Sequence, residues 1–237
     1  IGVRLVGSEM CIRDRSICGI IQNRFNIDTV AHLACNGFTK EETEDALIEL
    51  SFLGIENILA ISGDGNPKEV LNDGKTINSN SLELVHQIND LKNGKYLTDI
   101  SNSSSIEMCT GIGVYPENHF YSNNFEKEIS LIKQKNEAGA EYAVTQMFFD
   151  NQKYYDFVKL CRENDINIPI IPGLKPMSTE KQLTLLPQRF HLNVPNELVD
   201  EVLKCKSNED VRQVGVEWAI TQTKELIEFG APCIHFY

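Results

Sequence analysis

The stretch ILAISGD, residues 58–64, drives an apolar run into a serine, a glycine and a carboxylate. Consecutive apolar positions read as a strand covered on both faces, the pattern of a parallel sheet. Packing gains nothing when such a strand ends on Gly63 and Asp64. The end of the run therefore raises the functional question, and its middle raises the question of fold.

Working outward, the same pattern recurs along the chain. TVAHLAC (29–35), NILAIS (57–62), TGIGVY (110–115), YAVTQMF (142–148), NIPIIPG (167–173) and PCIHFY (232–237) read as six short strands, with helical periodicity between them. Thr39 with Glu42 makes a capping box for a helix that buries Ala46, Leu47, Leu50 and Leu53 and stops at Gly54. Ser207 with Asp210 repeats the device for a long helix through Val211, Val214, Trp218 and Leu226, ending at Gly230. Regular alternation of strand and helix allows an open doubly wound sheet or a closed (β/α)8 barrel. No GxGxxG follows any strand, which favours the barrel. Residues 65–79 and 93–107 are dominated by Gly, Asn, Asp and Ser and read as loops within one domain.

A chain of 237 residues can bury a full core, and it suits one large domain better than two small ones. With 34 acidic against 22 basic residues and no cluster of Lys or Arg, its surface would repel a nucleic-acid backbone. An anionic ligand must then be held by a few placed groups. The seven cysteines form no CxxC pair and are odd in number, as expected of reduced, cytoplasmic thiols. No apolar run approaches the roughly 18 to 20 residues that span a bilayer, and no cleavable signal is recognisable, so a soluble protein is expected. RLVGSEMCIRDR (4–15) has no clear period and resembles a mistranslated sequencing adapter. Residues 1–15 are accordingly set apart from the fold, and 16–237 are read as the catalytic domain.

His32 and Cys35, Asp64, Tyr115, Gln146, and His235 with Tyr237 all fall at or near C-terminal ends of expected strands. In a barrel those ends share one mouth. Singly, each has a bland reading: His32 as a satisfied core histidine, Asp64 as an N-cap, Gln146 as a buried amide. Jointly they are hard to explain by packing, which prefers apolar residues throughout.

VAHLAC, GIENILAISGD, YPENH, EAGAEYAVTQMFFD, IPIIPGLKPMSTEKQL, VGVEWAITQ and IHFY, in that order over residues 16–237, together resemble the bacterial methylenetetrahydrofolate reductase family. The resemblance implies an α/β (β/α)8 TIM-barrel flavoprotein. It implies an enzyme that reduces 5,10-methylenetetrahydrofolate to 5-methyltetrahydrofolate through FAD with NADH or NADPH, in one-carbon metabolism and methionine biosynthesis. Its partners would be the folate, the nicotinamide donor and, left open, further copies of the chain; no nucleic acid, membrane or metal is implied. Position by position it assigns His32, Ser62, Gly63, Asp64, Tyr115, His119, Glu128 and Lys135 to the FAD site, and Asp64, Gln146 and Gln182 to the folate. Asp64 would act electrostatically, disfavouring electron-rich flavin and favouring a cationic folate iminium. Lys135 also fits a solvated lysine of an amphipathic helix, LIKQKNEAGA.

The sequence departs from the family in places. Ser62 stands where the family usually has Arg, Glu128 where it has Asp, and Leu186 where an aromatic ring packs on folate and nicotinamide. The general-acid glutamate of the family's first strand has no counterpart here, nor does the folate-binding arginine beyond the last strand. About six of eight strands are therefore expected, in an incomplete barrel, and the chain as written is expected to be inactive. Two other readings remain: a metal-dependent barrel hydrolase using His32, Asp64 and His235, and a non-catalytic ligand-binding barrel. No HxH or HExxH spacing supports the first of these.

Overall fold

The computed structural model of the chain describes residues 7–35, 37–63, 76–117 and 125–237. They divide into two compact units, one of residues 1–112 with 134–141 and the other of residues 113–133 with 142–237.

In the first unit α1 (Gly7–Phe25) leads into β1 (Val30–Ala34), α2 (Lys40–Phe52), β2 (Asn57–Ile61), α3 (Ser81–Lys92) and the first residues of β3 (Cys109–Val114). β1, β2 and β3 pair in parallel, with Val30 opposite Asn57 and Asn57 opposite Cys109. β2 is the central strand of the three, and Ile58, Leu59 and Ala60 are buried in succession, as its unbroken apolar run requires. β1 alternates instead: Ala31 and Leu33 are buried, Val30 and His32 exposed. The face of β1 that carries Val30 and His32 is therefore exposed, where a strand covered on both faces was expected.

The capping box at Thr39 forms in both directions: the Thr39 N–H donates to Glu42 Oε2 at 2.9 Å and the Glu42 N–H to Thr39 Oγ1 at 3.1 Å. α2 buries Ala46, Leu47 and Leu50, while Leu53 is 38% exposed. Leu53 is the C-cap, beyond the last helical turn that faces the sheet, and this corrects its expected burial. The adapter-like stretch carries the first turns of α1, whose later half is anchored: Arg15 pairs with Glu49, Gln22 donates to Gly54 O, and Asn23 donates to Leu53 O at 3.0 Å.

The second unit holds the end of β3, the first part of α4 (Phe125–Glu137), β4 (Tyr142–Thr145), α5 (Asn151–Glu163), β5 (Ile170–Ile171), β6 (Gly173–Leu174), α6 (Gln182–Phe190), α7 (Asn196–Leu203), α8 (Asn208–Phe229) and β7 (His235–Phe236). β4 pairs with β5 and β6 with β7, again in parallel. The run 167–173, expected as one strand, is broken into β5 and β6 at Pro172, which has no N–H for a ladder; its carbonyl accepts from His235 N at 2.9 Å. β4 ends at Thr145, three residues early, and Phe148 and Phe149 are buried beyond it. Ser207 and Asp210 form the second capping box, and α8 ends at Gly230. Beneath α6, α7 and α8 lies an apolar cluster containing Met147, Met177, Leu186, Leu192, Leu198 and Val211. Among the described residues the parallel pairs do not close into a ring, in line with an incomplete barrel.

Candidate functional site

In the first unit the ends of β1 and β2 carry the expected cofactor residues. The Cys35 N–H and thiol both reach Ile61 O, each at 3.1 Å, locking the two strand ends together. Burial pushes the Cys35 thiol up to about 11, against a backbone hydrogen bond and the positive charge of Lys135, which lower it. Lys135 is thus within electrostatic reach of Cys35, at the end of β1. Lys135 is only 6% exposed, whereas Lys133 on the same helix is solvated, so the reading of a solvated Lys135 is corrected. Glu128, 7% exposed, lies two turns earlier on the same face of α4. Gly63 adopts a φ of +80°, a left-handed backbone that a side chain would strain, so glycine is favoured there for conformation. Ser62 is exposed with its hydroxyl 3.4 Å from that of Ser81, and His32 is exposed on the open face of β1. A buried ammonium, a hydroxyl and a glycine backbone suit an anionic ligand such as a diphosphate. Asp64 and His119 lie outside the described residues.

In the second unit Tyr115 follows β3, and the segment after β4 carries Gln146, whose N–H donates to Val114 O at 2.8 Å. The Gln146 side-chain oxygen accepts from the Met147 N–H at 2.9 Å. Gln182 opens α6, and its side-chain oxygen accepts from Ser178 N at 2.7 Å, Ser178 Oγ at 3.1 Å and Thr179 N at 3.2 Å. Backbone N–H groups only donate, so these bonds fix which amide atom is oxygen. Gln182 spends its oxygen on its own turn and leaves its NH₂ for a ligand, while Gln146 keeps one lone pair besides its NH₂.

Tyr237 closes the end of β7. Its N–H donates to Leu174 O at 2.9 Å and its hydroxyl to Thr145 O at 2.8 Å, while the Gly173 N–H donates to Thr145 Oγ1 at 2.8 Å. The hydroxyl is sunk although the ring's flank is exposed; burial, with Tyr115 nearby, pushes the phenol up to about 12. Leu186 is buried in the apolar cluster under α6.

Sequence reasoning missed Glu117, two residues past Tyr115, although its place between Tyr115 and His119 was a usable signal. It also missed a buried amide network in which Asn151 donates to Gln222 O at 3.2 Å and Glu225 Oε2 at 2.7 Å, tying α5 to α8. A groove of about 690 Å³ in this unit contains none of the expected residues. Its lining includes Trp218 and the carboxylates Asp150, Glu197, Glu201, Glu217 and Glu225, with no Lys or Arg, and would repel phosphates and folate carboxylates alike. Among the described residues no group of three His, Cys, Asp or Glu side chains is placed to hold a metal ion.

Against known proteins, the family model described as methylenetetrahydrofolate reductase matches residues 6–237. Methylenetetrahydrofolate reductase 1 of Schizosaccharomyces pombe is 29% identical over 222 residues, covering 93% of this chain and 35% of that protein. 5,10-Methylenetetrahydrofolate reductase of Buchnera aphidicola subsp. Baizongia pistaciae is 30% identical over 223 residues, covering 92% of this chain and 68% of that protein. The chain thus spans about a third of the length of the eukaryotic relatives it matches. Among solved structures, an uncharacterised Clostridium thermocellum protein that binds two copies of 5-methyl-5,6,7,8-tetrahydrofolic acid superposes with a TM-score of 0.57 at 16% identity, covering 92% of this chain and 70% of that one. That likeness bears on the fold.

Proposed function

The chain belongs to the methylenetetrahydrofolate reductase family, and from that premise we propose, against the expectation of an inactive chain, that it reduces 5,10-methylenetetrahydrofolate to 5-methyltetrahydrofolate with electrons from NADH or NADPH through bound FAD. The observation that supports this reading is the burial of Lys135 within electrostatic reach of Cys35 at the end of β1, since an enclosed ammonium suits an anionic ligand. The residues present fit a flavin dinucleotide. Lys135 would hold the diphosphate, Gly63 would let the backbone approach it, and Ser62 and His32 would supply polar contacts from the same unit; Tyr115, His119 and Glu128 are added by the family resemblance alone. When bound, FAD accepts hydride from the nicotinamide and passes it to the folate.

The protein's own groups position and discriminate. Gln182 and Gln146 present NH₂ donors, and so orient ligand atoms that accept hydrogen bonds. Asp64, next to Gly63, would supply the negative charge that favours a cationic folate. Six described cysteines are free, which supports a reducing, cytoplasmic setting, and the product places the reaction in one-carbon metabolism and methionine biosynthesis. Among the described residues no helix is long and apolar enough to cross a membrane.

The test is reconstitution with FAD followed by visible absorbance and NADH-dependent reduction of methylenetetrahydrofolate. A flavin spectrum that bleaches with NADH and recovers with the folate is expected. Protein that stays colourless in excess FAD would refute the reading, and metal analysis of the same sample would address the hydrolase alternative.

A further inference from the structure

Glu117 stands on the segment leaving β3, two residues past Tyr115. Its Oε2 accepts from the Asn193 N–H at 2.8 Å, a bond spanning 76 residues of chain. Its Oε1 is buried with no hydrogen-bond partner among the described residues. Asn193 follows Leu192, which packs with Leu186 of α6 in the apolar cluster, and the turn between them is closed by the His191 N–H donating to Pro187 O at 2.9 Å. Asn193 and α6 are therefore held as one body, and Gln182 is at the other end of that helix. A half-satisfied carboxylate is a poor choice for packing, because the unpartnered oxygen is left without the hydrogen bonds that water would give it. Burial raises the Glu117 carboxyl above its ordinary range, against the Asn193 bond and the charge of Lys153 that lower it, with Asp150 adding to the rise. The charged form thus lowers stability at neutral pH, and the residue's use lies elsewhere than in stability.

Resting on the proposed function, we propose that Glu117 is a positioning residue for folate reduction: its carboxylate straps the segment carrying Tyr115 to the segment after α6, and so fixes where Gln182 presents its donor. The strap acts on the folate half-reaction, through the donor of Gln182. Leu186, the position of α6 that the resemblance sets against the nicotinamide, is held by the apolar cluster, so reduction of the flavin is left intact.

The experiment compares Glu117→Ala and Glu117→Gln in the FAD-loaded protein, with the two half-reactions measured separately and with amide exchange followed at Asn193. In Glu117→Ala the half-saturating folate concentration rises about tenfold, the worth of one hydrogen bond to a charged acceptor, and Asn193 exchange accelerates by a similar factor. The rate of flavin reduction by NADH stays within about twofold. Glu117→Gln, whose carboxamide oxygen still accepts from Asn193, returns both readouts to within about threefold of the original and melts no lower. If the alanine variant fails to fold, Glu117→Met fills the space without an acceptor and takes its place. Unchanged folate dependence in the alanine variant, equal loss in both half-reactions, or no rescue by glutamine would each overturn the assignment. Unmodified protein that never acts on the folate would mark failure of the proposed function instead; active unmodified protein matched by Glu117→Ala would mark failure of the strap alone.

Discussion

Gly173→Ala places a methyl group where two strands and the candidate site meet. A Cβ at residue 173 would overlap Thr145 O and lie 2.6 Å from Tyr237 Cε2. Thr145 ends β4 and cannot yield without moving Gln146; Tyr237 can swing away only by giving up the 2.8 Å bond from its hydroxyl to Thr145 O. Overpacking of this kind costs about 1–3 kcal/mol and a lost hydrogen bond about 1 kcal/mol more, so a destabilisation of about 2–4 kcal/mol is expected. For a chain of this size that lowers the thermal midpoint by about 5–15 °C. Melting followed by circular dichroism reads the shift. Tyr237→Phe, which removes only the hydroxyl, should account for about 1 kcal/mol of it. A Gly173→Ala midpoint within about 2 °C of the original would refute the close approach of β6 to Thr145, and with it the placement of Gln146.

Gln182→Glu keeps an oxygen for the Ser178 and Thr179 donors and replaces the presented NH₂ by an acceptor, so folate affinity should fall by about tenfold or more at an unchanged melting point; isothermal titration and melting together check both halves. Lys135→Met should weaken FAD binding by about ten- to a hundredfold, read by quenching of flavin fluorescence, with Lys135→Arg recovering part of the loss. Cys35 has a pH signature: its folded thiol is held at about 11 against an ordinary value of 9.0, so the neutral thiol favours the folded state. That contribution is complete below about pH 9 and is lost as pH rises through about 11, and Cys35→Ala should flatten this alkaline decline in denaturant melts.

β2 was legible because every position from Ile58 to Ala60 answers to one rule, burial on both faces. The two capping boxes were legible because a hydroxyl and a carboxylate three residues apart carry their geometry with them. Pro172 was visible, yet its power to split one strand into two was outweighed by the apolar run around it. Lys135 follows the half-exposed Lys133 in the same helix, and only its burial in the folded chain shows that this one is enclosed. The polarity of Gln182 was beyond the sequence, since it is set by how the Ser178–Thr179 turn folds back on its side chain. Glu117 likewise takes its meaning from Asn193, far along the chain.

A crystal structure of the FAD-loaded protein tests the central claim most directly. The account predicts the diphosphate within hydrogen-bonding distance of Lys135 and against the backbone of Gly63, at the ends of β1 and β2. FAD bound away from both residues, or saturating FAD with none bound, would contradict it.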